Sequence, residues 1–531
     1  MTVQDVDGQP GGGASPDGSG PVEFISILDA AGGPLQHGGA SVEGAFRDLN
    51  LDRIVAAAVA GREQYDLAPF FAAPIVDAGT AAWRHAVFHD LERPALRAAV
   101  EQFAAGMARC REALAVADKL YYALQKQFWH HEAARHYCET LRALACDLDA
   151  AAPQSPGFRA LGRHVAALAG AYDFRVLEDE IAAIGSALLD IRYETVVHGD
   201  RVTVRRYDGA EDYSAAVERM FDKFKLGAVR DYRVKFPENR QMDHVEAAVL
   251  DLVARLFPDA FARLAAFARD HADFIAPSIA RFEREIQFCL CWLALMERAR
   301  SAGLSFCYPQ LSPDDHAEDS RDGYDLGLAL KLIAEGKPVV TNDYALSGAE
   351  RIIVVSGPNQ GGKTTFARAF GQLHYFAGLG LPVPGSAARL LLVDAVHTHF
   401  EREEDLSNLR GKLEDDLVRI HDILGRTTAR SVVVLSEIFN STTLDDQVLL
   451  STRVLDRVME SGALCTCVSF IDELASMGAA TFSMVSTVVP DRPAERTFKV
   501  VRRKADGLAY AMSLAEKHGL TTARLNERLS A

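Results

Sequence analysis

The sequence predicts a mostly α-helical N-terminal region with a small β-hairpin insert, followed by an α/β domain built on a largely parallel sheet. Three observations lead there. Apolar residues fall at helical spacing before about 305, and short, wholly apolar runs of parallel-strand type appear after about 325. A glycine-rich loop is set between one of those runs and a helical segment. With 531 residues, 49% of them apolar, the chain is long enough for about two to four cores. Its net charge of −16 argues against a general polycation that coats nucleic acid, although phosphate binding answers to the local field rather than the total.

Residues 1–22 are rich in Gly, Pro, Asp and Ser, too poor in apolar surface to offset their ordering entropy, and are expected to be a disordered tail. The start has neither basic residues nor an apolar core of signal-peptide type, and no run approaches the roughly 18 apolar residues of a membrane span. The expected location is the cytoplasm, with no membrane partner. The pairs Cys289/Cys291 and Cys465/Cys467 are spaced C-x-C inside apolar runs. That spacing lacks the two-residue gap of a zinc knuckle, so buried free thiols and no structural metal are expected.

From about 45 to 185, Leu91, Leu96, Val100 and Phe103, then Leu114, Ala117, Leu120 and Tyr121, keep helical spacing, and Pro94 suits a first turn. His130, His131 and His136 do not share one helical face and are expected to be ordinary surface residues rather than metal ligands. At 191–206, β-branched and polar residues alternate around Gly199-Asp200, which predicts a hairpin. Helices are expected over about 242–256 and 258–303. The acidic stretch 311–324, with Asp314, Asp315, Glu318 and Asp319, reads as a solvated linker between a helical region (23–310) and the α/β domain (325–531). Parallel-type strands are expected at 351–356, 389–394, 431–436 and 464–469, with closing strands at 482–490 and 496–503.

Gly357-Pro358-Asn359-Gln360-Gly361-Gly362-Lys363-Thr364 fits the pattern G-x-x-x-x-G-K-[ST], with a strand before it and a helix after it. Glycines let the backbone wrap a phosphate, and successive N–H groups and the helix N-terminus supply donors. In such a loop Lys363 reaches the β- and γ-phosphates and the Thr364 hydroxyl binds Mg²⁺. Thr365 follows at the helix start. The expectation is a nucleotide site, against a structural glycine turn.

GPNQGGKTTFAR is similar to the GPNMGGKST loop of the MutS family. Further segments extend the resemblance: Val339-Val340-Thr341-Asn342-Asp343 resembles the family's Asn-Asp stretch near the adenine, and FEREEDLSNLRGKLEDDL (400–417) resembles its trans-acting signature. SEIFNSTTLDD (436–446) resembles its Walker B segment, and VSFIDEL (468–474) its switch. The resemblance is strong over about 325–520. It implies an ABC-type P-loop ATPase domain using ATP and Mg²⁺, with Asn342 near the base, preceded by MutS-like core and lever helices with the hairpin in place of a clamp. Nothing resembles the family's mismatch-reading or connector domains.

The motifs also depart from the family. Its Walker B Asp-Glu is Ser436-Glu437 here. Ser436 can hydrogen-bond a metal-bound water without adding charge. Glu437 stands where the general base belongs, or else caps the sheet end. The switch histidine aligns with Phe470 and the signature serine with Gly411. Asn408, Arg410 and Gly411 are the resemblance-implied trans residues, Arg410 reading equally as a surface arginine. ATP binding is therefore better supported than fast turnover, and the expectation is a weak ATPase with a composite site in a homodimer.

Residues 201–240 carry ten Lys or Arg against seven Asp or Glu, with Phe221, Phe224, Tyr232 and Phe236 interleaved. Arg201, Arg205, Arg206, Lys223, Lys225, Arg230, Arg233 and Lys235 form either a DNA-backbone surface or a solvated face over core aromatics. The resulting reading is an ATP-dependent, MutS-type protein acting on duplex or branched DNA in repair or recombination. The alternatives are an ATP-gated protein scaffold and an RNA- or ribosome-facing ATPase.

Overall fold

The structure is a computed structural model that describes residues 24, 26–32, 39–75, 77–209, 242–401, 411–489 and 492–504. The expected N-terminal tail, 1–22, therefore lies outside the described residues. In chain order the helices begin with α1 (Gly39–Asp48), α2 (Leu51–Val59), α3 (Ala68–Phe71), α4 (Ala78–Leu91), α5 (Pro94–Lys119), α6 (Ala123–Ala151), α7 (Pro156–Gly170) and α8 (Tyr172–Leu189). A hairpin of β1 (Tyr193–His198) and β2 (Arg201–Arg206) follows, then α9 (His244–Leu256), α10 (Pro258–Asp270) and α11 (Pro277–Ser301). Next come β3 (Phe306–Cys307), β4 (Gln310–Ser312), β5 (Glu318–Gly323), α12 (Leu326–Ala334), β6 (Asn342–Leu346), β7 (Ile352–Ser356) and α13 (Lys363–Ala377). The chain continues through β8 (Val383–Pro384), β9 (Ala387–Leu391), β10 (Ala395–His399), α14 (Lys412–Arg426), β11 (Ser431–Ser436) and α15 (Leu444–Ser461). It closes with β12 (Leu464–Val468), β13 (Thr481–Val489) and β14 (Arg492–Arg502).

These elements form two compact units, one from residues within 1–93, 153–161 and 281–531, the other from 94–152 and 162–280. In the second unit, α5 and α6 pair through Leu96, Val100, Phe103 and Met107 on one helix and Cys138, Leu141, Leu144 and Leu148 on the other, all buried. Gly106 permits the approach, since a Cβ there would lie 2.1 Å from Thr140 Oγ1. His131, expected at the surface, is buried and donates to Ile181 O at 3.0 Å, while His130 donates to His271 O at 2.9 Å. Each imidazole joins α6 to a neighbouring segment, because a half-apolar ring with one answered N–H is tolerated inside a helix bundle. Among the described residues, no three His, Cys, Asp or Glu are grouped to hold a metal ion. The hairpin has the expected two-residue turn: His198 pairs with Arg201, and Gly199 takes a positive φ of 62°.

The first unit holds a six-stranded sheet in the order β10-β11-β12-β7-β13-β14, parallel throughout except between β13 and β14. β7, β11 and β12 are buried at every position, as the continuous apolar runs imply. The run at 389–394 departs from expectation. Its first residues end β9, which belongs to a second sheet of order β4-β9-β5-β6, and the strand beside β11 is the polar-looking Ala395–His399. Buried polar partners allow this: Thr398 donates to Asp48 at 2.8 Å, and His399 faces Asp416 at 3.1 Å.

The acidic stretch expected as a solvated linker is also sheet, contributing β4 and β5. Glu318 is fully buried and meets His374 Nε2 at 3.1 Å, the Leu391 N–H at 2.7 Å and the Tyr344 hydroxyl at 3.3 Å. Burial alone disfavours a charged His374, yet its pKa is raised because Glu318 faces it.

The α13 helix, with aromatic and apolar residues all round, is enclosed along most of its length. Gln372 answers three groups at 2.8 Å: the Leu49 carbonyl, the Asp325 carboxylate and the Leu326 N–H. Tyr375 donates to Phe71 O, and Trp292 packs on Phe376 at 4.8 Å. The N-terminal helices thus share one core with the α/β elements. Arg84 bridges the Leu28 and Leu379 carbonyls, and Ile27 N–H donates to Glu285 at 2.9 Å. Among the described residues, no helix is long and apolar enough to cross a membrane.

Burial pushes the Glu285 carboxyl up from 4.5 to about 7, against the lowering effects of Ser26, the Ile27 N–H, Arg281 and Arg84. A carboxyl that stays neutral in the folded chain while the unfolded chain ionises contributes stability present below the unfolded value and lost as pH rises through about 7. Glu285→Gln is therefore expected to match wild type in urea unfolding near pH 4.5 and to exceed it by on the order of 3 kcal/mol above pH 7. A stability difference that does not change with pH would contradict this.

Candidate functional site

The glycine-rich loop leaves the C-terminal end of β7 and enters α13, beside the C-terminal ends of β11 and β12. Open α/β sheets place ligands at this edge. Gly357 has φ 116° and Gly362 φ 93°, conformations that a Cβ disfavours. Close packing adds a second requirement. A Cβ on Gly357 would sit 2.8 Å from Ser486 O, and one on Gly361 2.2 Å from Ser486 Oγ. Ser486, on β13, is thus the floor of the loop. Gly362 is the N-cap of α13 and supplies no side-chain acceptor, so the first amides of the helix remain available as donors.

Lys363 is buried, and its ammonium donates to Gly357 O at 3.0 Å and Pro358 O at 3.2 Å. The same nitrogen lies 4.2 Å from the centre of the Phe470 ring. Burial lowers its pKa, with Arg496 adding to the effect and Glu437 opposing it. Arg496 in turn donates to Asn359 O at 3.1 Å.

A cleft of about 510 Å³ opens over the loop. Asn359, Gln360, Gly361, Gly362, Lys363, Thr364 and Thr365 line one side, with Glu437, Phe470, Phe498 and Leu328 completing it. Glu437 follows the last residue of β11 at a positive φ of 54°, and its N–H donates to Val468 O at 3.0 Å. Such a backbone in a non-glycine residue stores strain of about 1–3 kcal/mol and marks a position that the surroundings over-determine. Ser436 is buried at the strand end and is not among the residues lining the cleft.

Asn342, expected near the base, is hydrogen-bonded to β14. Its amide donates to Phe498 O at 3.3 Å, and its Oδ1 accepts from Val500 N–H at 2.7 Å. It does not line the loop cleft, but it holds Phe498, which does and which itself has φ 57°. Phe498, Leu328 and Ser486 escaped the sequence reading, since none carries a motif and each is brought in by a distant strand or helix. Gly411 is the exposed N-cap of α14 with φ −66° and offers backbone alone. Asn408 and Arg410 lie outside the described residues, as do Lys223, Lys225, Arg230, Arg233 and Lys235. On the hairpin, Arg201 and Arg205 share one face with His198, and Arg205 pairs with Glu194. Arg206 is on the other face, donating to Leu256 O at 2.6 Å with its guanidinium 4.9 Å over Phe257. It serves there as a cap to α9.

Residues 353–526 match the family model described as MutS domain V. Through this segment the chain is similar to the MutS family. The chain is 28% identical over 226 residues to the DNA mismatch repair protein MutS of Erythrobacter litoralis, covering 42% of this chain and 26% of that protein. It is 25% identical over 227 residues to the same-named protein of Orientia tsutsugamushi, covering 42% and 25%. Against the Endonuclease MutS2 of Gemmatimonas aurantiaca the figures are 28% over 189 residues, 34% and 23%. The matches thus span about a quarter of the length of these relatives.

Gly361→Ala is expected to destabilise the first unit by about 1–3 kcal/mol, because Ser486 Oγ and Pro358 O, at 2.2 and 2.9 Å from the new Cβ, would have to shift. Adding Ser486→Ala should restore part of the loss by removing the nearer atom. Strictly additive effects in urea unfolding would rule out this account of the loop floor.

Proposed function

We propose that the chain binds ATP with Mg²⁺ in the loop cleft, hydrolyses it slowly in a homodimer, and uses nucleotide state to control contact with duplex or branched DNA in repair or recombination. The observation that carries this is the convergence of a buried lysine, a glycine-bounded loop feeding a helix N-terminus and a strained glutamate on one cleft, within the segment that matches the MutS domain V model. The loop amides and the Lys363 ammonium suit the phosphates, and the Thr364 hydroxyl suits the metal. Glu437 suits the positioning of an attacking water, which is the greater part of what a protein contributes to phosphoryl transfer. Ser436 would orient metal-bound water by hydrogen bonding, without the charge of an aspartate, and slow turnover follows from that weaker electrostatic hold. In the homodimer reading, residues near Asn408, Arg410 and Gly411 complete the site of the partner subunit.

The DNA part of the proposal rests on the printed names of the MutS relatives and on the basic stretch that begins with the exposed Arg201 and Arg205. Binding of this kind reads the backbone and weakens with salt.

Hydrolysis measured with duplex, junction and single-stranded DNA, and with RNA, tests both parts. Wild type should show Mg²⁺-dependent turnover, and Lys363→Ala and Glu437→Gln should each lower kcat/KM by about 100-fold or more. Rates unchanged in both variants would remove the catalytic assignment. Salt-independent or absent DNA binding would instead favour an ATP-gated protein scaffold, and preference for RNA an RNA-facing ATPase.

A further inference from the structure

The Lys363 ammonium has three donor directions, and all are occupied. Two point at loop carbonyls, Gly357 O and Pro358 O. The third side is covered by the Phe470 ring, with the nitrogen 4.2 Å from its centre. The carbonyls belong to the loop, whereas the ring belongs to the wall that also carries Glu437.

The placement of Phe470 is built in. Ser469 N–H donates to Val355 O at 3.1 Å, Ile471 N–H donates to Ser469 Oγ at 3.1 Å, and Ile471 and Leu474 are buried. The backbone on both sides of Phe470 is therefore pinned, while the ring itself is 55% exposed in the cleft. A phenylalanine held this open gains little from burial. What it does gain is the attraction between its π face and a half-desolvated ammonium.

We infer that Phe470 is a specificity-determining residue that disfavours a nucleoside triphosphate relative to a diphosphate by occupying the Lys363 direction a terminal phosphate needs. The inference rests on the nucleotide reading of the cleft given above. A diphosphate seated on the loop amides need only exchange the Gly357 and Pro358 carbonyls for its own oxygens on the lysine, which leaves the ring in place. A third phosphate extends toward the Glu437 wall, and to reach the ammonium there it must displace the ring.

The test is calorimetric titration of the full chain with Mg²⁺–ADP and with a Mg²⁺-bound, non-hydrolysable ATP analogue, in wild type, Phe470→Ala and Phe470→Leu. The leucine keeps apolar bulk but has no π face. Removing a partly desolvated cation–π contact should lower the ratio of triphosphate to diphosphate Kd by roughly five- to tenfold in both variants. A ratio within twofold of wild type in either variant, or a rise in it, would overturn the inference while leaving the nucleotide reading intact. Failure of wild type to bind either nucleotide would overturn both. Phe470 is exposed, so both variants should melt with wild type.

Discussion

Enclosure of the helix that leaves the glycine-rich loop is the constraint on which the rest of the first unit depends. α13 is covered by the parallel sheet, by the second sheet and by the N-terminal helices. A helix buried on every side cannot leave polar groups unanswered, so Gln372 and His374 need partners from distant segments. Gln372 finds Leu49, Asp325 and Leu326, and His374 finds Glu318. The same demand draws Glu318 out of what would otherwise be a solvated acidic loop and makes its neighbours into strands.

That rigid helix presents its N-terminus to the cleft. Around it, three non-glycine residues adopt positive φ: Gln360 in the loop, Glu437 after β11 and Phe498 on β14. Each is anchored by tight neighbours, as with the Glu437 N–H on Val468 O and the Asn342 amide on Phe498 O. Strain concentrated around one opening is characteristic of preorganised sites.

What was legible in the sequence was whatever local pattern determines. β7, β11 and β12 are buried on both faces, so their residues are apolar without interruption, and the glycines of the loop announce their own φ values. β10 was not legible, because His397, Thr398 and His399 look like surface residues until Asp48 and Asp416 arrive from elsewhere to meet two of them. The hydrogen bonds of Asn342 were not legible either. The motif names the residue, but only the fold shows that its amide is committed to the β14 backbone. The Phe498 ring in the cleft follows from that commitment and from nothing local.

The bonds joining the first unit are long in sequence. Ile27 reaches Glu285 across 258 residues, Leu49 reaches Gln372 across 323, and Asp48 reaches Thr398 across 350. During synthesis, the apolar faces of α2, α3 and α4 therefore leave the ribosome well before the helix and sheet that cover them exist. Loop closure over such separations is slow, and uncovered apolar helices invite association with other chains in the interval. The order of translation thus leaves the early helices without their covering partners until α13 has emerged, while the locally paired α5–α6 hairpin can close as soon as it is made.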